Sequence, residues 1–306
     1  MGTSNAYGGA AGGTPLIPSW LRDDGGGAGG GATPPSDGST PTPASALPAV
    51  TPTPAIGAPP AVPLAPVPRP VIPVAGASDR FTSARTSFSR FASSGATDRR
   101  SLGRAVSRYV STSAGGSRRA AQRMGSSRGA GAGLVRFLND ASVNGAREAL
   151  RALNLESLAG RPIEEVFAGL ADYICPEGGS IDEGIARDAF IETIADLAGA
   201  GITDIDALTP AQIQTVFELY ATHAIEARLC NDIGTKVVTL PADPSAAARV
   251  EAQLRDFIQR GVSDAINAAG VNIQALSPDA VTGFVTTVYQ SAFEVLQTMG
   301  DTEAGE

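Results

Sequence analysis

The feature that most limits how this chain can fold is a proline tract from Thr40 to Val74, TPTPASALPAVTPTPAIGAPPAVPLAPVPRPVIPV. Two glycine runs, GGAAGG and GGGAGGG, precede it. Proline removes backbone donors and favours the extended polyproline II form, and glycine runs are flexible. Neither can bury enough apolar surface to offset the entropy of ordering the backbone. Residues 1–79 are therefore expected to be a disordered arm. Any core must come from residues 80–306.

Charge divides the chain in the same way. Residues 1–79 carry a net charge of -2, residues 80–128 carry +10 from eleven Arg and one Asp, and residues 129–306 carry -16. The chain total is -8. A single uniform globule is excluded, and a large enzyme core is not expected. The expected organisation is an arm over 1–79, an Arg-rich helical docking segment over 80–141, an acidic helical bundle over 142–301 and a disordered tail over 302–306. The fold class is all-α.

Helix signals are dense after residue 142. Ser180-Ile181-Asp182-Glu183 reads as a capping box. Thr209-Pro210 and Ser277-Pro278 put a capping residue before a proline at the first helical position. The pattern predicts helices near 145–153, 162–173, 181–198, 210–233, 245–269 and 278–299. Three of these carry apolar stripes at helical spacing, such as Val250, Leu254, Phe257, Ile258, Val262 and Ile266. In the basic segment, Asp98–Thr112 reads as a short helix capped by Thr97, with Leu102, Val106, Tyr109 and Val110 on one side. Gly115-Gly116 ends it. A second helix is expected from Ser117 through Met124 and, after a Gly-rich stretch, on to Leu138. The preceding run, in which Phe81, Phe88 and Phe91 interleave with Arg80, Arg85 and Arg90, reads as a segment that orders on a partner.

Catalytic and metal chemistry find little support. His223 is the only histidine, and Cys175 and Cys230 are the only cysteines. A structural zinc site needs four ligands, and a Ser-His-Asp or Cys-His arrangement cannot be assembled around this one histidine. No phosphate-cradling G-x-x-x-x-G-K-[ST] motif occurs. No metal, cofactor or catalytic residue is assigned, and a non-enzymatic role is expected. No signal-peptide pattern and no long uncharged apolar run is present, so a soluble cytoplasmic protein without membrane contact is expected.

What remains points to binding. Pro15, Leu16, Ile17, Pro18 and Trp20 form an apolar island in the arm, and Trp20 is the only tryptophan. An aromatic anchor in a core-less segment is a docking device. The candidate partner-contacting residues of the basic segment are Phe88, Arg90, Phe91, Arg99, Arg100, Arg104, Arg108, Tyr109, Arg118, Arg119 and Arg123. Arginine beside aromatic residues can dock on an acidic surface, either the chain's own acidic domain or another subunit. It can also hold phosphates and stack on bases, which leaves nucleic-acid binding through 80–128 open. At the N-terminus Gly2 follows Met1, and removal of Met1 exposes an unhindered α-amine. Ala6 stands where myristoylation needs Ser or Thr.

Three stretches together resemble a known family. They are Met1-Gly2-Thr3-Ser4 leading through glycine to Pro15–Trp20; Arg85–Phe91 with Ser94-Gly95; and Leu102–Val110 followed by Gly115-Gly116-Ser117, Arg118-Arg119 and Arg123-Met124-Gly125. This combination resembles the QatB family, the small associated proteins of Qat anti-phage defence systems. The resemblance implies partners: a P-loop ATPase, a QueC-like enzyme and a TatD-like nuclease. It also implies that Gly2 is the acceptor of a deazaguanine group attached by the QueC-like enzyme, with catalysis on the partner and this chain as substrate and adaptor.

Overall fold

The structure, a computed structural model, describes residues 79–175, 180–234 and 241–305. All belong to one compact unit. The first 78 residues, with Gly2 and the Pro15–Trp20 island, lie outside the described residues. Ten α-helices occur and no strand among the described residues, so the all-α expectation holds.

Six helices make up the acidic half. They are α5 (Ala146–Ala152), α6 (Ile163–Ile174), α7 (Ile181–Gly199), α8 (Pro210–Ile233), α9 (Pro244–Ala269) and α10 (Pro278–Gly305). Their starts have chemical causes. Ser180 and Glu183 form the capping box of α7, and Thr209 and Gln212 form another at α8, where Pro210 occupies the first turn. The Asp243 carboxylate accepts from the backbone N–H of Ser245 and Ala246, which starts α9. Helix α10 continues to Gly305, so the tail expected to be disordered from 302 is helical through that residue.

Four helices precede them: α1 (Thr82–Ser93), α2 (Arg99–Arg108), α3 (Ser117–Gln122) and α4 (Gly125–Asn144). Helix α1 replaces the segment expected to order on a partner. Ala84, Phe88, Phe91 and Ala92 fall on one helical face and are buried, with Phe81 just ahead of them. The many Ser and Thr residues between them masked that period. The cap of α2 is Asp98, whose carboxylate accepts from Ser101 N–H at 3.0 Å. Thr97 instead donates its hydroxyl to the Ser94 carbonyl at 2.9 Å. After Arg108 the chain widens into a π-helical turn, Tyr109–Ala114, ended by Gly115 and Gly116 at φ +85 and +101.

The glycines of α4 do not break it. A Cβ at Gly131 would come within 3.2 Å of the Tyr220 ring, and one at Gly133 within 3.0 Å of Ile174. Small residues there let α4 lie close on α8 and α6, and burial outweighs their poor helix propensity. Helix α8 forms the middle of the body, with Ile213, Val216, Phe217, Tyr220, Ala224, Ile225 and Leu229 all buried. Helix α10 packs on α2, α3, α4 and α9. The Arg-rich helices therefore share one continuous core with the acidic ones.

Candidate partner-docking surface

Apart from Arg128, which donates to the Thr286 hydroxyl of α10, the arginines of the basic segment divide into an inward and an outward set. The inward set closes on the C-terminal end of α8. The Asp232 carboxylate, only 7% exposed, takes Arg123 Nη2 at 3.0 Å and Arg228 Nε at 3.3 Å. It also accepts from the Tyr109 hydroxyl at 2.9 Å. Arg228 reaches on to Asp182 of α7, and Arg85 donates to the carbonyls of Ile233 and Asp232. Cations at these last carbonyls complement the negative end of the α8 dipole. The Phe81 ring lies beneath three guanidinium groups, those of Arg80, Arg85 and Arg123, at 4.9, 5.9 and 5.4 Å. It also stacks on Tyr109.

Burial, the Asp232 charge and their hydrogen bond together push the Tyr109 hydroxyl far above its ordinary range. Burial alone would lower the Arg228 pKa, but Asp232 and Asp182 outweigh it and the net shift is upward. The opposite charges of the two halves thus meet inside the chain.

The outward set consists of Arg90, Arg99, Arg100, Arg108, Arg118 and Arg119, all exposed, with Arg104 half-buried. None of these forms an ion pair with a described residue. Arg100, Arg104 and Arg108 follow at four-residue intervals and make one stripe along α2. Asp98 at the head of α2 is the nearby anion. The hydrogen bonds from Ser101 hold its carboxyl below the usual range, and Arg104 and Arg100 add to this. Arg99 stands at the edge of an open groove of about 410 Å³, shared with Leu102, Glu218, Asp256, Arg260 and Glu303.

The sequence-predicted contact residues therefore part company. Phe88, Phe91 and Tyr109 are buried in the chain's own core, at 3%, 0% and 1% exposure, and offer no ring to a partner. Arg123 turns inward to Asp232. The other seven arginines stay at the surface.

A family model described as Qat anti-phage system associated protein QatB matches residues 115–296. The match covers more than half of the chain. The chain belongs to the QatB family. No curated protein and no solved structure matches it. Membership makes this an associated protein of the Qat anti-phage system. The matched stretch begins at the Gly115-Gly116 break and takes in α3 to α9 and most of α10. The outward arginines of α1 and α2 lie ahead of it, on helices that share the QatB body's core.

A second buried network escaped the sequence reading. His223, 3% exposed, contacts the Asp196 carboxylate at 2.7 Å and Glu226 at 3.9 Å. Arg255 joins Glu226 to Glu251, each at 2.9 Å. Its members come from α7, α8 and α9; His223–Glu226 and Glu251–Arg255 are local pairs, but no local spacing joins the three helices. Burial pushes the Glu251 carboxyl up to about 7, with Arg255 opposing it. No metal-binding group of His, Cys, Asp and Glu occurs among the described residues. Both cysteines are free and buried, and burial raises the Cys175 thiol to about 11, so it is no thiolate nucleophile at neutral pH. No helix among the described residues is long and apolar enough to cross a membrane.

Proposed function

We propose that this QatB-family protein is a non-enzymatic adaptor. Its outward arginines dock on an acidic surface of another Qat component, the ATPase. Its arm carries Gly2 to the QueC-like enzyme, which attaches a deazaguanine group to the α-amine. The observation that carries this reading is the set of seven surface arginines with no ion pair to a described residue, beside Arg123, Arg228 and Arg255, which are paired inside the body. Unpaired surface arginine is poised for carboxylates because its fork binds them in bidentate fashion. The sequence around Gly2 suits this role, since the small side chains at positions 2–4 leave an α-amine unhindered for a foreign active site. The cytoplasm is where such an assembly would form.

Two experiments test the two halves. In the first, Arg99, Arg100, Arg104 and Arg108 are all changed to Glu, and co-purification with the ATPase is measured. Loss of the complex from a folded variant supports docking, and an intact complex refutes it. In the second, the N-terminus is weighed by mass spectrometry after expression with and without the QueC-like enzyme. A mass added to Gly2 only in its presence supports modification, and an unmodified glycine in both samples refutes it.

Nucleic-acid binding through 80–128 is the weaker reading. Single-strand binding draws on aromatic stacking as well as on phosphate contacts. Phe81, Phe88, Phe91 and Tyr109 are all buried. Only the phosphate contribution remains, and its signature is affinity that falls steeply with salt.

A further inference from the structure

We infer that an apolar groove on the body holds the Pro15–Leu21 segment of the same chain, with the Trp20 indole as its anchor. This rests on the reading of that segment as a docking motif and deepens it by naming the surface.

The groove, of about 630 Å³, is formed by the second half of α4, by α5, by the end of α6 and by the start of α10. Its apolar lining includes Phe137, Leu153, Ile174 and Leu276. Val143 and Tyr173 also line it, and they are 74% and 53% exposed. Large apolar side chains left open beside a concave surface mark a binding site.

The polar atoms of the groove narrow the choice of ligand. Arg136 is engaged by the Pro278 carbonyl and the Thr282 hydroxyl, and Asp140 accepts from the Asn144 amide. Asn139 donates its amide to the Ile273 carbonyl at 2.7 Å, and its own oxygen is buried beneath the groove's surface. What the groove offers a ligand is therefore an apolar lining whose charged groups are engaged inside the chain. Tryptophan suits such a lining, with an extended ring, a single N–H that can stay at the rim and no acceptor.

The chain contains one tryptophan, and the segment from Pro15 to Leu21 bears no charge. Neutral, proline-flanked and aliphatic, it suits a lining whose charged groups are already engaged. The 57 residues from Arg22 to Ser78 join it to the body. At the polyproline II rise of about 3.1 Å per residue a chain of that length reaches up to roughly 180 Å, more than the diameter of a body this size. Tethering makes the docking intramolecular, so it does not depend on protein concentration.

Because Trp20 is the sole tryptophan, the fluorescence of the full-length chain, alone in solution, reports directly on its surroundings. The expected result is emission blue-shifted from that of a synthetic peptide spanning residues 13–24. It should be shielded from a soluble quencher and unchanged on dilution. Val143→Glu and Tyr173→Glu alter exposed side chains, and circular dichroism checks that each variant folds. Each should return the emission to that of the peptide and raise quenching several-fold. Three results overturn the inference: peptide-like emission in the parent chain, shielding that survives both substitutions, or shielding that fades on dilution, which would assign the groove to a second copy. No other Qat component is present, so the outcome is independent of whether docking on the ATPase or modification of Gly2 succeeds.

Discussion

Replacing Gly103 by Ala should unseat α2 from α10. A Cβ on Gly103 would stand 2.8 Å from the Gly300 carbonyl oxygen, 2.8 Å from the Glu303 Cβ and 3.2 Å from the Ala304 nitrogen. Seen from the other side, a Cβ on Gly300 would stand 2.6 Å from the Gly103 carbonyl oxygen. Two of the three atoms facing Gly103 are backbone, and the third is fixed to it, so no side chain can swing aside. The two helices must separate. Overpacking costs about 1–3 kcal/mol, and a clash against backbone that cannot swing aside belongs at the upper end of that range, about 2–3 kcal/mol. Against it, Ala gains about 1 kcal/mol over Gly in a helix. The net expectation is a loss of about 1–2 kcal/mol. In a body of this size that lowers the Tm by roughly 3–6 °C. Gly129→Ala in α4 is the control, because nothing lies within 4 Å of its added Cβ. It makes the same chemical change and should raise stability by up to about 1 kcal/mol. Thermal unfolding followed by far-UV circular dichroism measures both. A Gly103→Ala chain as stable as its parent, or two variants shifting alike, would refute the claim that the basic helices are built into the body.

Asp232→Asn should destabilise by about 3 kcal/mol, because Arg228 and Arg123 would keep their charges without the buried anion between them; chemical denaturation measures it. Tyr109→Phe removes one hydrogen bond to that carboxylate and should cost about 1.5–3 kcal/mol in the same assay. The folded pKa of Glu251 is raised to about 7 from an ordinary 4.5, so its contribution to stability is complete below pH 4.5 and is lost as pH rises towards 7. Glu251→Gln should therefore raise the Tm more at pH 8 than at pH 5, and equal shifts at the two pH values would refute the burial argument. Quadruple reversal of Arg99, Arg100, Arg104 and Arg108 to Glu should leave the Tm within a few degrees of the parent while abolishing capture of the partner, since none of the four is ion-paired with a described residue.

The acidic half of the fold was legible because its signals are local. Ser180 with Glu183 and Thr209 with Pro210 mark helix starts within four residues of sequence, and the stripe from Val250 to Ile266 repeats at the helical period. The basic half was less so. Phe81, Phe88 and Phe91 sit at helical spacing, but Arg, Ser and Thr between them invited an open, interacting reading. Their burial depends in part on α8 and α9, which lie more than 100 residues away. Gly131 and Gly133 likewise read as a break until Tyr220 and Ile174 are placed over them. The candidate site was half legible. Exposed arginines follow from composition, but nothing local distinguishes Arg123, which turns in to Asp232, from Arg119, which stays out. Partners distant in sequence decide that.

This division bears on what the +10 segment can do. Had all its arginines faced solvent, self-docking on the acidic half and docking on a partner would compete for the same charges. The structure divides the arginines by residue. Arg85, Arg123 and the Tyr109 hydroxyl are engaged in holding the basic segment on the C-terminal end of α8. Arg90, Arg99, Arg100, Arg104, Arg108, Arg118 and Arg119 are held on rigid helices with no described ion partner. A surface fixed in this way loses little conformational entropy at its backbone when it binds. Salt should therefore weaken partner capture through the outward arginines while leaving the Asp232 cluster, shielded by burial, intact.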